Sequence, residues 1–161
     1  GTDVDVQWQH GVHPSPAFLR ESLEAAQLIV GLLPAEEVEV VSEGGESEPI
    51  IASAMAVNHE GAPGYNAVPW AVDAAPEQVG GLHVVATLPA FHGRGFGRQL
   101  VNGAADIARA QGLVALRLDT FPHNVRGRGL YESCGFEDKG EWTVHYPALG
   151  DIQVAMYELA L

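Results

Sequence analysis

A turn rich in glycine and arginine is the stretch of the chain whose residue types most clearly predict chemistry. It reads Gly-Arg-Gly-Phe-Gly-Arg over residues 93–98, after an apolar run that Pro89 ends and before a helical pattern over residues 100–108. Glycines let backbone N–H groups converge, and the first turn of a helix leaves its donors unpaired, so this arrangement favours an anion. Arg94 and Arg98 add the positive charge that matches a phosphate.

The spacing of this turn excludes two common phosphate motifs. A P-loop requires Gly-Lys followed by Ser or Thr, and that pair is absent. The dinucleotide-binding fingerprint requires a third glycine at the position where Arg98 stands. The turn therefore predicts a phosphate-bearing ligand that is held in another way.

A second motif follows a predicted strand over residues 113–119. Its positions are an asparagine, an apolar-tyrosine pair and a closing glycine-phenylalanine pair: Asn124, Leu130, Tyr131, Gly135 and Phe136. Together, the two motifs resemble those of the GNAT superfamily of N-acetyltransferases over residues 81–136. Two positions depart from the family pattern, since Gly127 stands where alanine is usual and His92 where glutamine or arginine is usual.

The resemblance implies that the chain binds acetyl-CoA. In the family, the turn holds the pyrophosphate, and the pantetheine arm hydrogen-bonds along the preceding strand, here residues 82–88, where that strand splays away from its neighbour. Asn124 would contact the arm, or it would only cap its helix. The residues expected to contact acetyl-CoA are Val85, Ala86, Thr87, Leu88, His92, Gly93, Arg94, Gly95, Phe96, Gly97, Arg98, Asn124 and Tyr131.

Acetyl transfer to an amine needs a base, because an alkylamine is mostly protonated at neutral pH. His83 is the preferred candidate, since imidazole titrates near neutral pH and family members often place a base on this strand. Period-2 counting puts His83 on the same face as Val85 and Thr87. The alternative is a hydrogen-bonded core histidine, and the base would then be one of three acidic residues: Glu60, Asp73 or Glu77.

Two further catalytic roles complete the expected site. A backbone N–H at the strand end would stabilise the oxyanion, and Pro89 has none, so Leu88 is the expected donor and Thr87 the second choice. By the resemblance, Tyr131 aligns with the tyrosine that protonates the departing thiolate, and an ordinary phenol carries its proton at neutral pH. The alternative for Tyr131 is a core residue of an amphipathic helix.

The charge balance favours cationic partners over nucleic acid. The chain has 21 acidic and 8 basic residues and a formal net charge of −13, whereas nucleic-acid binding depends on Lys and Arg. Five basic residues lie in or near the two motifs: Arg94, Arg98, Arg117, Arg126 and Arg128. The remaining surface should attract amines by its long-range field, unless the acidity serves only solubility.

Length and composition predict a single domain over residues 1–161. No apolar run approaches the roughly 18 residues of a membrane helix, and the first residues lack the features of a signal peptide, so we expect a cytoplasmic protein without membrane contact. Cys134, the single cysteine, is interpreted as structural. His10 and His13 have the spacing of a metal pair, but no third ligand is evident and no metal is predicted.

The first part of the chain predicts a strand, a helix and a hairpin. Residues 3–9 alternate as a strand. An amphipathic helix begins at Ser15-Pro16, extends to Leu33, and is expected to pack on the sheet. Residues 37–42 and 49–58 read as the two strands of an antiparallel hairpin.

The later elements complete the predicted fold. Residues 59–80 show no clear pattern beyond a short strand near 66–72, and we expect them to border the acceptor site, with a mobile surface insertion as the alternative. Residues 142–146 and 152–159 predict a terminal hairpin. The element order matches the α/β (α+β) GNAT fold that the resemblance implies, a mixed, mostly antiparallel central sheet with helices on both faces.

The resemblance implies an enzyme that moves the acetyl group of acetyl-CoA directly to a primary amine, without an acyl-enzyme intermediate. The acidic surface favours a small cationic molecule as acceptor. Two alternatives stay open at this point: an acyl-CoA-binding sensor without turnover, and an acetyltransferase for a protein or peptide amine. Dimers are common in the family, so a homodimer is a further expectation.

Overall fold

The computed structural model describes residues 14–33, 49–146 and 150–161. Its α-helices are α1 (Pro16–Glu24), α2 (Phe96–Ala110) and α3 (Val125–Ser133). Its strands are β1 (Leu28–Leu33), β2 (Ile50–Asn58), β3 (Val79–Thr87), β4 (Ala115–Thr120), β5 (Glu137–Tyr146) and β6 (Gly150–Ala160). Short 3₁₀ turns lie at Tyr65–Ala67, Pro76–Gln78 and Pro89–Phe91. None of the helices in these ranges is long and apolar enough to cross a membrane.

The six strands form one sheet in the order β1-β2-β3-β4-β6-β5. Neighbouring strands pair antiparallel except for β3 and β4, which are parallel. A parallel pair needs a crossover connection, and α2 lies within the connection from β3 to β4. The mixed, mostly antiparallel sheet confirms the predicted fold class.

The sheet opens between β3 and β4. The two strands pair only over Val79–Gly81 and Ala115–Arg117, although both continue beyond these residues. From Leu82 onward, the edge of β3 that faces β4 therefore has no strand partner. An unpaired strand edge offers N–H and C=O groups to a ligand. We call this gap, between residues 82–87 and 118–120, the β3–β4 opening.

A bulge in β3 changes which residues share a face of the sheet. Two residues of β3, Val84 and Val85, lie opposite a single residue of β2. Val84 has a positive φ of 47°, and a bulge often contains one residue in this region. The prediction that His83 shares a face with Val85 and Thr87 is therefore wrong, since the pairing register puts His83 on the face of Ala86.

Each face of the sheet has its own apolar cluster. The helices α2 and α3 cover one face, in a cluster that includes Met55, Leu82, Leu100, Val101, Leu116, Tyr131 and Tyr157. On the opposite face of β5 and β6, a second cluster includes Tyr65, Val68, Trp70, Val144, Val154 and Met156. The segment over residues 59–78, which contributes three of these residues, therefore packs on the second face.

Two predicted elements are wrong. The helix that begins at Pro16 ends at Glu24 instead of Leu33, and Leu28–Leu33 forms β1. A short apolar run is compatible with either a helix or a strand, and pairing with β2 selects the strand. The expected packing of α1 is also reduced, since Leu23 is 66% exposed. The stretch near residues 66–72 contains the end of a 3₁₀ turn and irregular backbone, with no strand.

The other predicted elements that fall on described residues are confirmed. These are β2, β3, α2, β4, α3 and the terminal hairpin, whose strands β5 and β6 are longer than the pattern indicated. The predicted strand over residues 3–9 and the first strand of the predicted hairpin, residues 37–42, lie outside the described residues. The histidine pair His10 and His13 lies outside them as well.

Candidate active site

The glycine-rich turn forms the N-terminus of α2. Gly93 and Gly95 have φ values of 73° and 85°, in the left-handed region that favours glycine. Gly95 is the N-cap of α2, no side chain caps it, and the first turn contains no acidic residue. The first N–H groups have no partner within the helix, so the positive end of the helix dipole is available to an anion. This geometry fits the predicted pyrophosphate site.

Gly97 lets α2 begin close to the rest of the site. A Cβ atom at this position would lie 3.3 Å from the Leu130 side chain and 3.4 Å from Thr87 Oγ1. The contact with Leu130 is tighter than most real Cβ contacts, so a methyl group here would fit only if this side chain shifted by a few tenths of an ångström. The third glycine of the motif therefore has a packing reason.

His92 ties the turn to the end of β3. Its Nε2 lies 2.8 Å from the carbonyl oxygen of Thr87, and since a carbonyl can only accept, this nitrogen is the donor. The side chain that departs from the family pattern thus has a structural role within the turn. Of the two motif arginines, Arg94 lies over the rings of Phe91 and Phe96, with 5.3 and 5.5 Å to the ring centroids.

The positive charge near the turn is smaller than the sequence indicated. Arg117 forms an ion pair with Glu158 at 3.0 Å, and Arg128 forms one with Asp138 at 2.9 Å. Both guanidinium groups are therefore paired with carboxylates of this chain, Arg117 in a nearly buried pair and Arg128 in a more exposed one. By contrast, Arg98 is exposed and has no hydrogen-bond acceptor among the described residues.

The predicted oxyanion donor is already paired. The N–H of Leu88 donates to the carbonyl oxygen of Ala52 in β2 at 2.9 Å. Successive N–H groups along an antiparallel strand alternate between its two sides, so the N–H of Thr87 is directed away from β2 and towards the β3–β4 opening. The pairing argues against Leu88 and in favour of Thr87, the second choice.

His83 is anchored through one ring nitrogen. Its Nε2 lies 2.9 Å from Asn58 Oδ1 and 3.1 Å from the carbonyl oxygen of Glu60. The N–H of Glu60 donates to the same Asn58 oxygen, which identifies that atom as an acceptor. Nε2 therefore carries a proton and donates, and only Nδ1 is left to accept one. His83 is half-buried at the start of the opening, and Nδ1 is the atom through which it would act as a base.

Asp119 lies on β4 at the opening and is a site residue that the sequence did not single out. The parallel register that pairs Gly81 with Arg117 would place Asp119 beside His83. The carboxylate accepts a hydrogen bond from the Tyr65 hydroxyl at 3.1 Å. Burial raises the pKa of Asp119, whereas the Tyr65 hydrogen bond and the charge of His83 act to lower it. Buried groups with perturbed pKa values are typical of functional sites.

The three acidic residues expected as alternative bases are in a different environment from Asp119. The side chains of Glu60, Asp73 and Glu77 are exposed, and none makes a hydrogen bond within the part of the chain that the structure describes. Glu60 approaches His83 only through its backbone carbonyl. Asp119 is therefore the carboxylate best placed at the opening.

Tyr131 is a buried residue of α3. Its ring lies 6.0 Å from that of Phe136 and 6.1 Å from that of Tyr157, so the ring is part of the apolar cluster on the helix-covered face. Burial, and secondly the charge of Asp119, raise the pKa of Tyr131 well above its ordinary value. The phenol is therefore protonated across the physiological range. Within the described ranges, its hydroxyl has no hydrogen-bond partner.

Asn124 is the N-cap of α3. Its Oδ1 accepts from the N–H of Gly127 at 2.9 Å, and its Nδ2 donates to Thr120 Oγ1 at 2.9 Å. Both ends of the amide are thus used locally, which confirms the capping role. A Cβ atom at Gly127 would collide with this amide, which explains why alanine is not found there.

Residues 8–136 match the acetyltransferase (GNAT) family. A stretch of 57 residues, 35% of the chain, is 40% identical to a mycothiol acetyltransferase of Beutenbergia cavernae. That stretch covers only 19% of the relative's own length.

Solved structures share the fold. An N-acetyltransferase from Staphylococcus aureus Mu50 has a TM-score of 0.58 and 16% identity, over 89% of this chain and 73% of that one. An acetyltransferase from Bacillus subtilis in complex with CoA has a TM-score of 0.57 and 17% identity, over 92% and 85% of the two chains. At these identities, the likeness concerns the fold alone. The family match, however, covers most of this chain and includes both motifs, and the chain belongs to the GNAT acetyltransferase family.

Proposed function

We propose that the chain transfers the acetyl group of acetyl-CoA directly to a primary amine. The observation that supports this proposal is the β3–β4 opening, which lies between His83 on β3 and Asp119 on β4, with the glycine turn following β3 in the chain. Tyr131 on α3 is near enough for the charge of Asp119 to raise the pKa of its phenol. Proton transfer in this reaction requires a base, which a carboxylate or an imidazole can supply, and an acid, which a neutral phenol can supply. The amine nitrogen forms a bond to the acetyl carbon while the bond from carbon to sulfur breaks.

The chain's own residues fit acetyl-CoA along the opening and the turn. The uncapped N–H groups of Gly95–Arg98 and the exposed Arg98 would hold the pyrophosphate. The unpaired edge of β3 from Leu82 to Thr87 would bind the pantetheine arm in the manner of an added strand. Acetyl-CoA supplies the activated thioester.

Proton transfer is assigned to two side chains. Asp119 accepts the proton of the amine, since its raised pKa makes it a stronger base than an ordinary carboxylate. Tyr131 donates a proton to the departing thiolate, and its raised pKa keeps the phenol protonated until that step. His83 would accept through Nδ1 if Asp119 does not serve as the base. The N–H of Thr87 is the proposed donor to the oxyanion.

The acceptor is proposed to be a small cationic amine. The half-buried carboxylate of Asp119 lies at the opening, and the neighbouring segment 59–78 carries the exposed side chains of Glu60, Asp73 and Glu77. The net charge of −13 adds a long-range attraction for cations. The homodimer and the cytoplasmic location remain predictions from the sequence.

The test is to measure release of the CoA thiol from acetyl-CoA with a panel of polyamines, aminoglycosides, amino acids and lysine peptides. Calorimetry of acetyl-CoA alone runs beside it. We expect acetyl-CoA binding and thiol release that depends on a small cationic amine. Binding without release across the panel would instead favour a sensor, release with peptides alone would favour a protein substrate, and the absence of both would contradict the proposal.

A further inference from the structure

We propose that Tyr65 is a positioning residue, which the segment 59–78 holds against Asp119 so that the carboxylate form of this side chain is oriented and stabilised. This inference rests on the proposed function, in which Asp119 is the base. The contact joins residues 54 positions apart in the chain. It therefore exists only because the segment 59–78 is packed on the sheet.

The immediate hold on Tyr65 comes from Trp70. The indole Nε1 of Trp70 donates to the carbonyl oxygen of Tyr65 at 2.7 Å. The two rings also pack edge to face, with centroids 5.2 Å apart, an arrangement that aromatic pairs prefer. Backbone and ring of Tyr65 are thus both fixed by the same neighbour.

Trp70 is in turn fixed by a buried arginine. The guanidinium of Arg117 lies 4.4 Å from the centroid of the Trp70 ring, a favourable cation–π distance. Arg117 also donates to the carbonyl oxygen of Val72 at 2.6 Å. The segment is therefore tied to β4 on both sides of residue 71.

Glu158 on β6 completes the attachment. Its side chain is 2% exposed, and it accepts from Arg117 Nε at 3.1 Å and from the N–H of Ala71 at 2.7 Å. Lys139 Nζ approaches the same carboxylate at 3.5 Å. A buried carboxylate is tolerated only when its charge and lone pairs are matched in this way. The same match fixes the backbone of the segment that carries Tyr65.

Four titratable groups surround Asp119. Tyr65 donates to it from the segment 59–78, His83 lies beside it on β3, Tyr146 lies close on β5, and Tyr131 on α3 is near enough for the charge of Asp119 to raise its pKa. Burial raises the pKa of Asp119, and the hydrogen bond from Tyr65 is the first of the influences that lower it. A hydrogen bond donated to a carboxylate stabilises the charged form. The hydroxyl of Tyr65 remains able to donate, because burial and Asp119 raise its own pKa well above the ordinary value.

The test compares the wild type with Tyr65→Phe, which removes only the hydroxyl. The pKa of the Asp119 carboxyl is measured by carbon NMR titration of the free protein, and the pH profile of kcat/KM is measured for the amine. Loss of the hydrogen bond should raise the pKa of Asp119 by about one unit, the scale of a single hydrogen bond to a charged group. The acid limb of the profile should move up equally, so kcat/KM falls about tenfold below that limb.

The control is Tyr157→Phe, which removes another tyrosine hydroxyl, one bonded to Glu132 at 2.9 Å. It should leave the pKa of Asp119 unchanged. An unshifted Asp119 titration in Tyr65→Phe would overturn the inference, as would an equal loss of kcat/KM at every pH. Because the NMR titration needs no turnover, a wild-type protein that fails to acetylate any amine would contradict the proposed function while the Tyr65 contact is still tested.

Discussion

At the scale of single residues, Asp119 and His83 differ in which of their atoms can still accept a proton. The Nε2 proton of His83 is committed to Asn58 and Glu60, and only Nδ1 can accept. Among the described residues, the carboxylate of Asp119 accepts a hydrogen bond from the Tyr65 hydroxyl at 3.1 Å, and it is half-buried at the opening. A carboxylate can accept several hydrogen bonds, so Asp119 retains the capacity to take the proton of an amine.

Asp119→Asn should therefore lower kcat/KM for the amine about 100-fold or more, the scale of a lost general base. Acetyl-CoA affinity by calorimetry should be unchanged. In the wild type, activity should fall as the pH drops through the pKa of Asp119, which burial raises, because the protonated carboxyl cannot accept a proton. Asp151→Asn, at an exposed carboxylate paired with His145, is the matched control.

The same measurement on His83→Gln tests the alternative base. Glutamine keeps a side-chain N–H that can donate to Asn58, but it cannot act as a base. We expect this variant to retain most of the kcat/KM that Asp119→Asn loses. The reverse order of the two losses would return the role to His83.

The free energy of unfolding of Asp119→Asn shows whether a loss of activity comes from the lost base or from a less stable fold. A carboxyl whose pKa is raised in the folded protein contributes stability at low pH, and this contribution is lost as the pH rises through the raised value. At neutral pH, the charged Asp119 thus works against folding, and asparagine should not lower the free energy of unfolding. A loss of activity together with a large loss of stability would not match this account.

Tyr131→Phe tests the proposed acid. Removing the hydroxyl should lower kcat about 100-fold, since protonation of the thiolate is lost, and should leave the affinity for acetyl-CoA nearly intact. The ring contacts with Phe136 and Tyr157 remain, so the thermal midpoint should change little. Unchanged kcat would remove the acid role and leave Tyr131 as a core residue alone.

At the scale of elements, α2 contains two glycines that differ in how much space surrounds them. A Cβ atom at Gly97 would crowd Leu130 and Thr87, whereas one at Gly103 would meet nothing within 4 Å. Alanine is favoured over glycine in a helix by about 0.5–1 kcal/mol. Whether that gain is realised depends on the space at each position.

Gly103→Ala should therefore raise the free energy of unfolding by about 0.5–1 kcal/mol and leave acetyl-CoA affinity unchanged. Gly97→Ala should gain less, or lose stability, and should weaken acetyl-CoA binding because it displaces the turn from β3. Denaturant unfolding and calorimetry of both variants make the comparison. Equal effects of the two substitutions would contradict the close packing at the N-terminus of α2.

The elements also show where sequence patterns sufficed. Both motifs, the strand and helix that flank the glycine turn, and the cap at Asn124 follow from local signals such as glycine spacing, period and capping preference. The helix predicted over residues 28–33 is wrong because a short apolar run has no period that distinguishes a helix from a strand. Pairing with β2, which is distant in the sequence, makes it a strand. No residue pattern predicts the bulge at Val84 either. Because of this bulge, His83 lies on the opposite face of the sheet from the one predicted.

Asp119 shows the same limit within the site. The alternating pattern predicts that Asp119 lies on a strand. Its place in the candidate site, however, depends on β4 pairing parallel to β3 in a register that puts Asp119 beside His83. Its partner Tyr65 lies in a segment without any period. Such contacts are decided by tertiary packing, in this case by the Arg117–Glu158 pair.

At the scale of the whole molecule, the negative charge predicts a salt dependence. A net charge of −13 attracts cations over distances that salt screens, with a Debye length of about 10 Å at 0.1 M. The KM of a polyvalent amine should rise severalfold between about 0.02 and 0.5 M NaCl, and that of a monoamine should rise less. Initial rates over this range measure it, and identical salt dependence for both amines would remove the steering role of the surface.

The central claim is that acetyl passes directly from acetyl-CoA to an amine at the β3–β4 opening. The most direct measurement is a single turnover with acetyl-CoA labelled in the acetyl group, in which protein and amine are both analysed by mass spectrometry at early times. We expect the label to appear on the amine nitrogen with no labelled protein beforehand, and Asp119→Asn to slow its appearance. Label that first accumulates on the protein, or that never reaches an amine, would contradict direct transfer.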